Sequence, residues 1–600
     1  MSLLITVTAL GAMSEQDLSA GENLLATDWL STVSLSHGPQ KGDGQMDVVD
    51  VQGQDFPQAL RVTTVKRPSS DWHVQVLLPT QKSVEHGQVM LATFSARAIQ
   101  PQADSGEAQV KFQFRQAQPP RQPSVIFVAS VAEQWKSFSI PFVVDLSKVA
   151  KVQKAGQMLV ALNLGFAPQV IEIADLKVKR FDPVVKVEDL PRTQITYQGR
   201  EPDASWRSEA LKRIQKHRKA DMKIKVTDAE GKAITDAQVH VKMLRHAFGF
   251  GSVVNSARLW ELTDEPDHSR YQQTFLTLFN MASLEGAMKP MYWHTPRYRD
   301  LADRSVQWLF DHNIMIRGHT LVWPEWHRYD TSVKARFENK PHDLQDYLLT
   351  HIQEQVQTYA GKMVCYDVVN ELYLGDQMQT LIGDHAVAQW LKATKQADPQ
   401  TQTYLNDNRL IAAGAQDQLR IEYYEKLFSE LKLQNAPLDG MGLQGHFGSQ
   451  LTPPDRLLQI LDRLAAHQLK IQVTEFTVDV MDQALQADYT RDALTVFFSH
   501  PAMNAVTLWG FWEGQMYYKQ AALFDKHWQI KPNGKVYQDL VFKQWWTDEQ
   551  RSTDADGQVQ LRGFKGDYQI TVIHNGQRVQ RTMNLGDAGS VLVIGLKDQH

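Results

Sequence analysis

Between residues 244 and 547, short apolar runs typical of buried strands alternate with longer segments of helical periodicity. There are eight strand candidates: HAFGFGSVV, FNMASLEGA, IMIRGHTLVW, MVCYDVVNEL, TYLND, GMGLQGH, LKIQVTEFTV and AVTLWGF. Strands that alternate with helices form βα units and a parallel sheet. Eight units in roughly 300 residues have the size of a TIM (β/α)8 barrel, in which the C-terminal ends of the strands carry the active site. The sequence therefore predicts a barrel domain over 244–547.

The segment before the barrel has a different pattern. Short runs alternate between apolar and polar residues and are separated by turn residues, as in LRVTTVKR, AQVKFQFRQ and KSFSIPFVV. Period-two alternation with even spacing indicates antiparallel strands packed as two sheets. The sequence predicts a β-sandwich of the jelly-roll kind over 16–182, followed by a linker and a helix over 183–220.

Two short segments flank the barrel and share a strand-and-turn pattern. Residues 221–243 read as two strands, and residues 548–600 read as several more, with turns at Asp556-Gly557 and Asn575-Gly576. Two strands alone are only marginally stable, so each segment needs the other. Together, they resemble a small immunoglobulin-like β-domain of the carboxypeptidase-regulatory type. We expect one discontinuous domain into which the barrel is inserted.

Composition limits the classes of function. The formal net charge is −5 without a basic run, which gives no electrostatic case for nucleic acid or an anionic membrane as partner. Cys365 is the one cysteine, so no internal disulfide is possible. No HExxH-type spacing or glycine-rich phosphate loop is present, and neither a metal nor a cofactor is predicted. Residues 1–15 are interpreted as a shortened signal peptide or a disordered tail.

Two of the predicted barrel strands end in a glutamate. Glu371 follows the apolar run YDVVN, and Glu475 follows KIQVT. A glycosidase needs such a pair, because one carboxylic acid protonates the leaving oxygen while the other carboxylate attacks the sugar carbon. The glutamates belong to the fourth and seventh strand candidates, whose ends face each other across the mouth of a barrel. This arrangement predicts a glycosidase.

Six motifs follow one another along the barrel segment: RGHTLVW (317–323), DVVNE (367–371), LND (405–407), GLQGH (442–446), VTEF (473–476) and TLWG (507–510). They make residues 245–545 similar to glycoside hydrolase family 10, whose members are mostly endo-β-1,4-xylanases. By position, Glu371 resembles the general acid/base of the family and Glu475 its nucleophile, which implies a retaining mechanism. Asn370 resembles the residue that hydrogen-bonds the sugar 2-hydroxyl.

The resemblance also implies a set of sugar-binding residues. They comprise a glutamate and a lysine after the second strand, a histidine and a tryptophan of the third strand, two polar residues near the nucleophile, and two tryptophans after the eighth strand. These residues are Glu285, Lys289, His319, Trp323, Gln444, His446, Trp509 and Trp512. Trp509 is expected to stack on a pyranose face.

Three positions depart from the family pattern. Gly286 stands where the family has Asn, Pro324 where it has His, and Thr477 where it has the Asp that would polarise His446. Asp479 lies farther along the same strand face and is a poor substitute. We expect a working retaining enzyme whose specificity is open to change by these residues.

The N-terminal segment resembles carbohydrate-binding modules of the family 22 type through GENLLATDW and QVIEIADLKVKRF. Trp29, Trp72 and Trp135 are candidates for exposed sugar-binding aromatics, although packing in the core is an alternative for each. The favoured function is cleavage of internal β-1,4 bonds of xylan by a secreted or periplasmic monomer. The alternatives are hydrolysis of another β-linked glycan or a small β-glycoside, and non-catalytic glycan binding.

Overall fold

The computed structural model describes residue 18 and residues 20–596, except 38–41, 67, 69, 102–104 and 262–264. The predicted signal remnant over residues 1–15 lies outside the described residues. Contacts divide the chain into two compact units. The first contains residues up to 196 with 448–450, and the second contains the rest. The first unit thus extends beyond residue 182, the predicted end of the β-sandwich.

The first unit contains two antiparallel sheets. The strands are β1 (Glu22–Asn23), β2 (Ser34–His37), β3 (Gly44–Asp50), β4 (Gln58–Thr64), β5 (Val74–Pro79), β6 (Val84–Glu85), β7 (Val89–Gln100), β8 (Ala108–Gln116), β9 (Pro123–Val131), β10 (Lys136–Val143), β11 (Val152–Gln153), β12 (Met158–Asn163) and β13 (Gln169–Arg180). The strand order of the first sheet is β10-β7-β13-β4-β3, with β1 paired to β13, and that of the second is β2-β5-β12-β8-β9. The short strands β6 and β11 pair with each other. Alternate residues of β8, such as Val110, Phe112 and Phe114, are fully buried, as the period of a strand requires.

The three candidate tryptophans of this unit have different surroundings. Trp29 is 8% exposed and belongs to the hydrophobic core, so of the two alternatives for this candidate, packing in the core is the one observed. Trp72 is 51% exposed. Trp135 is half-buried, with the ring of Phe56 at 4.9 Å and the guanidinium of Arg97 at 5.0 Å. An indole has a large apolar surface, which explains why Trp29 packs in the hydrophobic core.

The predicted eight-stranded parallel barrel is confirmed in the second unit. Each strand pairs in parallel with the next, and the last pairs with the first. The barrel strands are β16 (Gly249–Val254), β17 (Met281–Leu284), β18 (Met315–Val322), β19 (Met363–Asn370), β20 (Gln402–Asp407), β21 (Gly440–Leu443), β23 (Lys470–Val478) and β24 (Met503–Leu508), and the short β22 (His446–Phe447) pairs with β23.

Helices connect the barrel strands and bury their apolar faces against them. They span Ser256–Glu261, Glu265–Leu278, Pro290–Trp293, Pro296–Asp311, Thr331–Phe337, Pro341–Thr358, Gln377–Ile382, Ala386–Ala397, Gln418–Leu433, Pro454–Ala465, Gln483–Ser499 and Pro532–Asp539. In Pro454–Ala465, for example, Leu457, Ile460, Leu461 and Leu464 are buried, at the spacing of one helix face. Several helices begin with proline, which is suited to the first turn because its missing N–H would have no partner there.

The segments that flank the barrel pair with each other. β14 (Lys219–Thr227) lies between β26 (Gln558–Phe564) and β29 (Ser590–Gly595), and β15 (Gln238–His246) lies between β25 (Asp548–Ser552) and β27 (Gly566–His574). The last strand, β28 (Gln577–Leu585), pairs with β27. The barrel is therefore inserted in a discontinuous β-domain, as expected, although the first strand begins within the predicted linker and helix.

The helix Ser205–His217 leads into this β-domain and is tied to the barrel. At its C-terminus, the Arg218 guanidinium donates to the main-chain oxygens of Phe498, His500 and Met503 over 2.5–2.8 Å. Among the described residues, no helix has the length and apolarity that crossing a membrane requires.

Candidate active site

Glu371 stands immediately after the last residue of β19, and Glu475 lies within β23 near its C-terminal end. Both are largely buried, with 8% and 5% of their surface exposed. Glu371 has φ of +56°, which is uncommon for a residue with a side chain. Its N–H donates to the Asn406 oxygen over 2.8 Å, which helps to hold this backbone. Strained conformations of this kind persist where surrounding contacts fix them, commonly at active sites.

Two residues each contact both glutamates. Asn406 accepts the Glu371 N–H through its main-chain oxygen and donates its side-chain amide to Glu475 Oε1 over 3.1 Å. Gln444 accepts the Glu475 N–H through its main-chain oxygen over 2.9 Å and donates its side-chain amide to Glu371 Oε1 over 2.8 Å. These bridges place the two carboxylates in one cleft and fix each relative to the other.

The surroundings of Glu475 favour its ionised form. Burial alone raises its pKa, but the hydrogen bond with His446 and the charges of His319, His446 and Lys289 act in the opposite direction and lower it below its ordinary value. His446 Nε2 lies 3.1 Å from Glu475 Oε2, and because a carboxylate only accepts, Nε2 donates. A carboxylate held ionised by several cationic or donor groups suits a nucleophile.

The second nitrogen of His446 faces Thr477, the position where the family has Asp. His446 Nδ1 lies 3.1 Å from Thr477 Oγ1, and this hydroxyl lies 3.0 Å from the Glu475 main-chain oxygen. A hydroxyl can donate to Nδ1 or accept from it, whereas a carboxylate can only accept. Because the Thr477 hydroxyl donates its one proton to the Glu475 main-chain oxygen, Oγ1 can accept from His446 Nδ1 at the same time.

An ionic cluster underlies the cleft within the barrel. Asp367 pairs with Arg317, and His319 Nδ1 lies 2.9 Å from Asp367 Oδ2. All three residues are at most 2% exposed. Because the carboxylate must accept, His319 carries a proton on Nδ1, which fixes the orientation of its ring.

Close packing against this cluster explains the small residue in GLQGH. A Cβ on Gly442 would lie 2.4 Å from the Asn406 side-chain oxygen and 2.7 Å from Arg317, closer than side chains approach each other. The same Asn406 oxygen accepts from Thr474 Oγ1 over 2.7 Å, which orients the amide toward Glu475.

Two buried side-chain amide atoms of the cleft are without a hydrogen-bond partner among the described residues: Asn370 Nδ2 and Gln444 Oε1. The Asn370 side-chain oxygen accepts from Asn406 over 2.9 Å, so the orientation of the amide leaves Nδ2 as a donor. Buried polar atoms are nearly always paired, so such atoms in a cleft are suited to a polar ligand. A hydroxyl-rich substrate would supply both kinds of partner.

Aromatic rings and a lysine line the same cleft. The Trp509 ring lies 5.6 Å from the ring of His319 and 6.1 Å from that of His446. Lys289 Nζ lies 5.3 Å from the Trp323 ring and 5.5 Å from the Trp509 ring. The structure thus brings these five predicted site residues together.

The remaining predicted sugar-binding residues lie next to this group. Asn255 donates to Glu285 Oε2 over 2.6 Å, and Glu285, Trp509 and Trp512 line one small cavity. The Trp512 ring is 5% exposed and stacks on Trp528 at 4.5 Å, so most of its surface packs against protein.

The structure also shows residues near the site that the sequence did not single out. Asn406 and Asp367 lie in the recognised motifs LND and DVVNE, which could have drawn attention to them. Arg328 lies outside the motifs, and its guanidinium carbon is 3.6 Å from the centre of the Trp323 ring. Among the described residues, no cluster of three or more His, Cys, Asp and Glu side chains could hold a metal ion.

Comparison with known proteins identifies the family. The model of glycosyl hydrolase family 10 matches residues 241–540, half of the chain. The chain belongs to glycosyl hydrolase family 10. This family-10 chain is 28% identical over 404 residues to the anti-sigma-I factor RsgI6 of Acetivibrio thermocellus. The aligned residues cover 64% of this chain and 49% of that protein.

Endo-1,4-beta-xylanase 1 of Arabidopsis thaliana is also 28% identical, over 397 residues that cover 64% of the family-10 chain and 40% of the plant protein. The chain thus spans half or less of the length of these curated relatives. Among solved structures, xylanase 10B of Thermotoga petrophila in complex with xylobiose is 25% identical, with a TM-score of 0.45 over 50% of this chain and 95% of that one.

Proposed function

We propose that the protein is a retaining glycoside hydrolase that cleaves internal β-1,4 bonds of xylan. The observation that carries the proposal is the double bridge, in which Asn406 and Gln444 each contact both Glu371 and Glu475. Family membership and the xylanases among its relatives support the reaction class and the substrate. Double displacement needs two carboxyl groups fixed on opposite sides of one sugar bond.

In the first step, a Glu475 oxygen attacks the anomeric carbon while Glu371 transfers its proton to the glycosidic oxygen. The bond between this carbon and this oxygen breaks, and a glycosyl ester forms on Glu475. Asn370 Nδ2 is the donor for the oxygen of the sugar 2-hydroxyl and thereby fixes the sugar for the attack. His446 holds Glu475 ionised and oriented before the attack.

In the second step, Glu371 acts as a base. It takes a proton from water, the water oxygen attacks the anomeric carbon, and the ester bond to Glu475 breaks. Both glutamates return to their initial protonation states and the sugar keeps its β configuration. Trp509 and Trp323 supply apolar surfaces for the pyranose rings, with Lys289 and Glu285 as partners of hydroxyl groups.

Product analysis tests this proposal. The purified protein is incubated with xylan and, in parallel, with mixed-linkage glucan and aryl β-glycosides. Short β-configured xylo-oligosaccharides from xylan, absent with Glu475→Ala, are the expected result. Products of inverted configuration would contradict the mechanism, and the absence of hydrolysis of every β-glycoside would contradict the proposed function.

A second candidate is the same reaction on another β-linked glycan or a small β-glycoside. A Cβ placed on Gly286 would meet no atom within 4 Å, so the space that Asn occupies in the family is open here. This space is suited to a larger or decorated sugar on the non-reducing side. If so, activity would appear with mixed-linkage glucan or aryl β-glycosides and not with xylan, and Gly286→Asn would reduce it.

The N-terminal unit is proposed to bind glycan and thereby hold the enzyme on its substrate. Trp72, with about half of its surface exposed, is the tryptophan best placed for stacking on sugar. Loss of retention on insoluble xylan in Trp72→Ala, with unchanged hydrolysis of soluble oligosaccharides, would support this assignment. We further propose that the protein is a monomer and acts outside the cytoplasm.

A further inference from the structure

Arg328 lies beside the acid/base glutamate, on the loop that follows β18. Its Nη2 is 3.7 Å from Glu371 Oε2, and its Nε is 3.5 Å from Glu325 Oε2. The guanidinium lies over Trp323 at 3.6 Å from the ring centre. Stacking on the indole and pairing with Glu325 thus hold a permanent positive charge next to Glu371.

The loop that carries Arg328 is itself fixed to the loop after β19. Met378 N–H donates to the Pro324 oxygen, and Trp326 N–H donates to the Gln377 side chain, both over 3.0 Å. A Cβ on Gly375 would lie 2.7 Å from Glu325 Cγ, so the two loops pack without space between them. The position of Arg328 is thus determined by contacts on both loops.

A guanidinium at this distance acts differently on the two steps. It stabilises the carboxylate form of Glu371, which is the form needed to accept a proton from water. It disfavours the protonated form, which is needed to donate to the glycosidic oxygen. Gln444 donates to Oε1, whereas Arg328 lies next to Oε2, so the guanidinium acts on the carboxyl oxygen that Gln444 does not contact.

Other charged or titratable groups surround Glu371 from the neighbouring strands and loops, but most have partners of their own. Asp367 is paired with Arg317 and His319, Asp407 with Arg420, and Lys289, His319 and His446 act on Glu475. On the loop of Arg328 itself, Glu325 and His327 lie 3.8 Å apart. Arg328 forms an ion pair with Glu371 from this loop.

We propose that Arg328 is a positioning residue that favours the ionised carboxylate of Glu371 and thereby sets the upper pH limit of the glycosylation step. This inference rests on the proposed function of Glu371. Arg328 contacts Glu371 and does not itself exchange a proton, since a guanidinium stays charged throughout the working range.

The test is the pH profile of kcat/KM on a xylo-oligosaccharide. Arg328→Met keeps the length of the side chain without the charge, and its alkaline limb should move upward by about one pH unit. Arg328→Lys keeps the charge and should leave the limb close to that of the parent. Arg336→Met is the matched control, because Arg336 also stacks on a ring, that of Phe337 at 4.8 Å, but on the helix Thr331–Phe337.

An unmoved limb in Arg328→Met, or an equal loss of activity at every pH in both Arg328 variants, would overturn the inference. A titration independent of turnover separates it from the proposed function. The 13C NMR signal of the Glu371 carboxyl, assigned with Glu371→Gln, should titrate about one pH unit higher in Arg328→Met. A shifted midpoint without hydrolysis of any β-glycoside would overturn the proposed function alone, and turnover with an unshifted midpoint would overturn the inference alone.

Discussion

The two sides of the cleft hold their glutamates in different ways. Glu475 lies inside strand β23 and receives donors from Asn406 on β20 and His446 on β22. Glu371 lies just beyond β19, in a left-handed conformation, and its carboxylate meets Gln444 and the loop residue Arg328. The first carboxylate is thus held by the barrel itself, and the second depends partly on a loop.

This difference corresponds to the chemistry proposed for each group. A nucleophile needs one protonation state and one position, which strand residues supply. An acid/base group must change its protonation state within each cycle, so its surroundings have to tolerate both forms. Variants at four positions test this comparison, in order of decreasing expected effect.

Replacing the nucleophile should have the largest effect. Glu475→Ala should reduce turnover by at least about 10⁴-fold, because no glycosyl ester can form. Azide should restore activity by occupying the vacated space, with a product of inverted configuration. Turnover and product configuration are the measurements, and Glu422→Ala, an exposed glutamate on the helix Gln418–Leu433, is the control. Retained activity on xylan would exclude Glu475 as nucleophile.

Replacing the acid/base should have an effect that depends on the leaving group. Glu371→Ala should lower kcat/KM on xylan by about 10²–10⁴-fold, because general acid catalysis is lost. Aryl glycosides with a good leaving group should lose far less in the first step, since their oxygen needs no proton. Pre-steady-state kinetics on both substrates gives the comparison. Equal losses on both would show that Glu371 is not the acid.

Removing His446 should move the acid limb of kcat/KM to higher pH. The pKa of Glu475 is lowered, so the nucleophile remains ionised as the pH falls below the ordinary glutamate value. His446→Ala removes a donor that helps to lower it, and a loss of roughly tenfold to a hundredfold at neutral pH is expected with the shift. His500→Ala, which removes a buried histidine paired with Asp462, is the control.

The same shift links stability to pH. A lowered pKa in the folded state stabilises the fold above the ordinary value of the glutamate, and this contribution is lost as the pH falls through the lowered value. Denaturation of the parent and of His446→Ala between neutral and acidic pH should show a smaller acid-dependent change in the variant. An acid limb that stays in place in His446→Ala would contradict the assigned contact.

Changes at Thr477 should have the smallest effect. Thr477→Asp restores the family residue and should keep kcat/KM within about tenfold, because the carboxylate still accepts from His446 Nδ1. Thr477→Val removes the hydroxyl partner of His446 Nδ1 and should cost about 1–3 kcal/mol of unfolding free energy. Chemical denaturation and steady-state kinetics are the measurements. A Val variant as stable as the parent would show that the contact contributes little.

The barrel was predictable because each of its strands is a buried apolar run separated from the next by a helix. The sandwich was predictable in outline for the same reason, through the period of two. Its two-residue strands β6 and β11 were not predicted, because pairing with a distant partner defines them and no local pattern does. The place of Trp29 was left open between sugar binding and the core, because a large aromatic residue suits both and packing alone decides between them.

The candidate site was predictable where a motif places a residue at a strand end, as for Glu371, Asn370 and Glu475. The partners of these residues were not. Asn406 lies 69 positions from Glu475 in sequence and contacts it only because β20 and β23 converge at the rim. Arg328 belongs to a loop whose conformation depends on the loop after β19, so no local signal marks it.

The sequence by itself determined the fold class and the residues available for chemistry, because strand and helix periods and short motifs are local properties of the chain. Only the tertiary structure decided what surrounds each carboxylate. Asn406, His446 and Arg328 come from separate strands and loops, and electrostatic and hydrogen-bond effects depend on distances that the closed barrel sets. For this reason, the Arg328 charge next to Glu371 could be identified only from the folded structure.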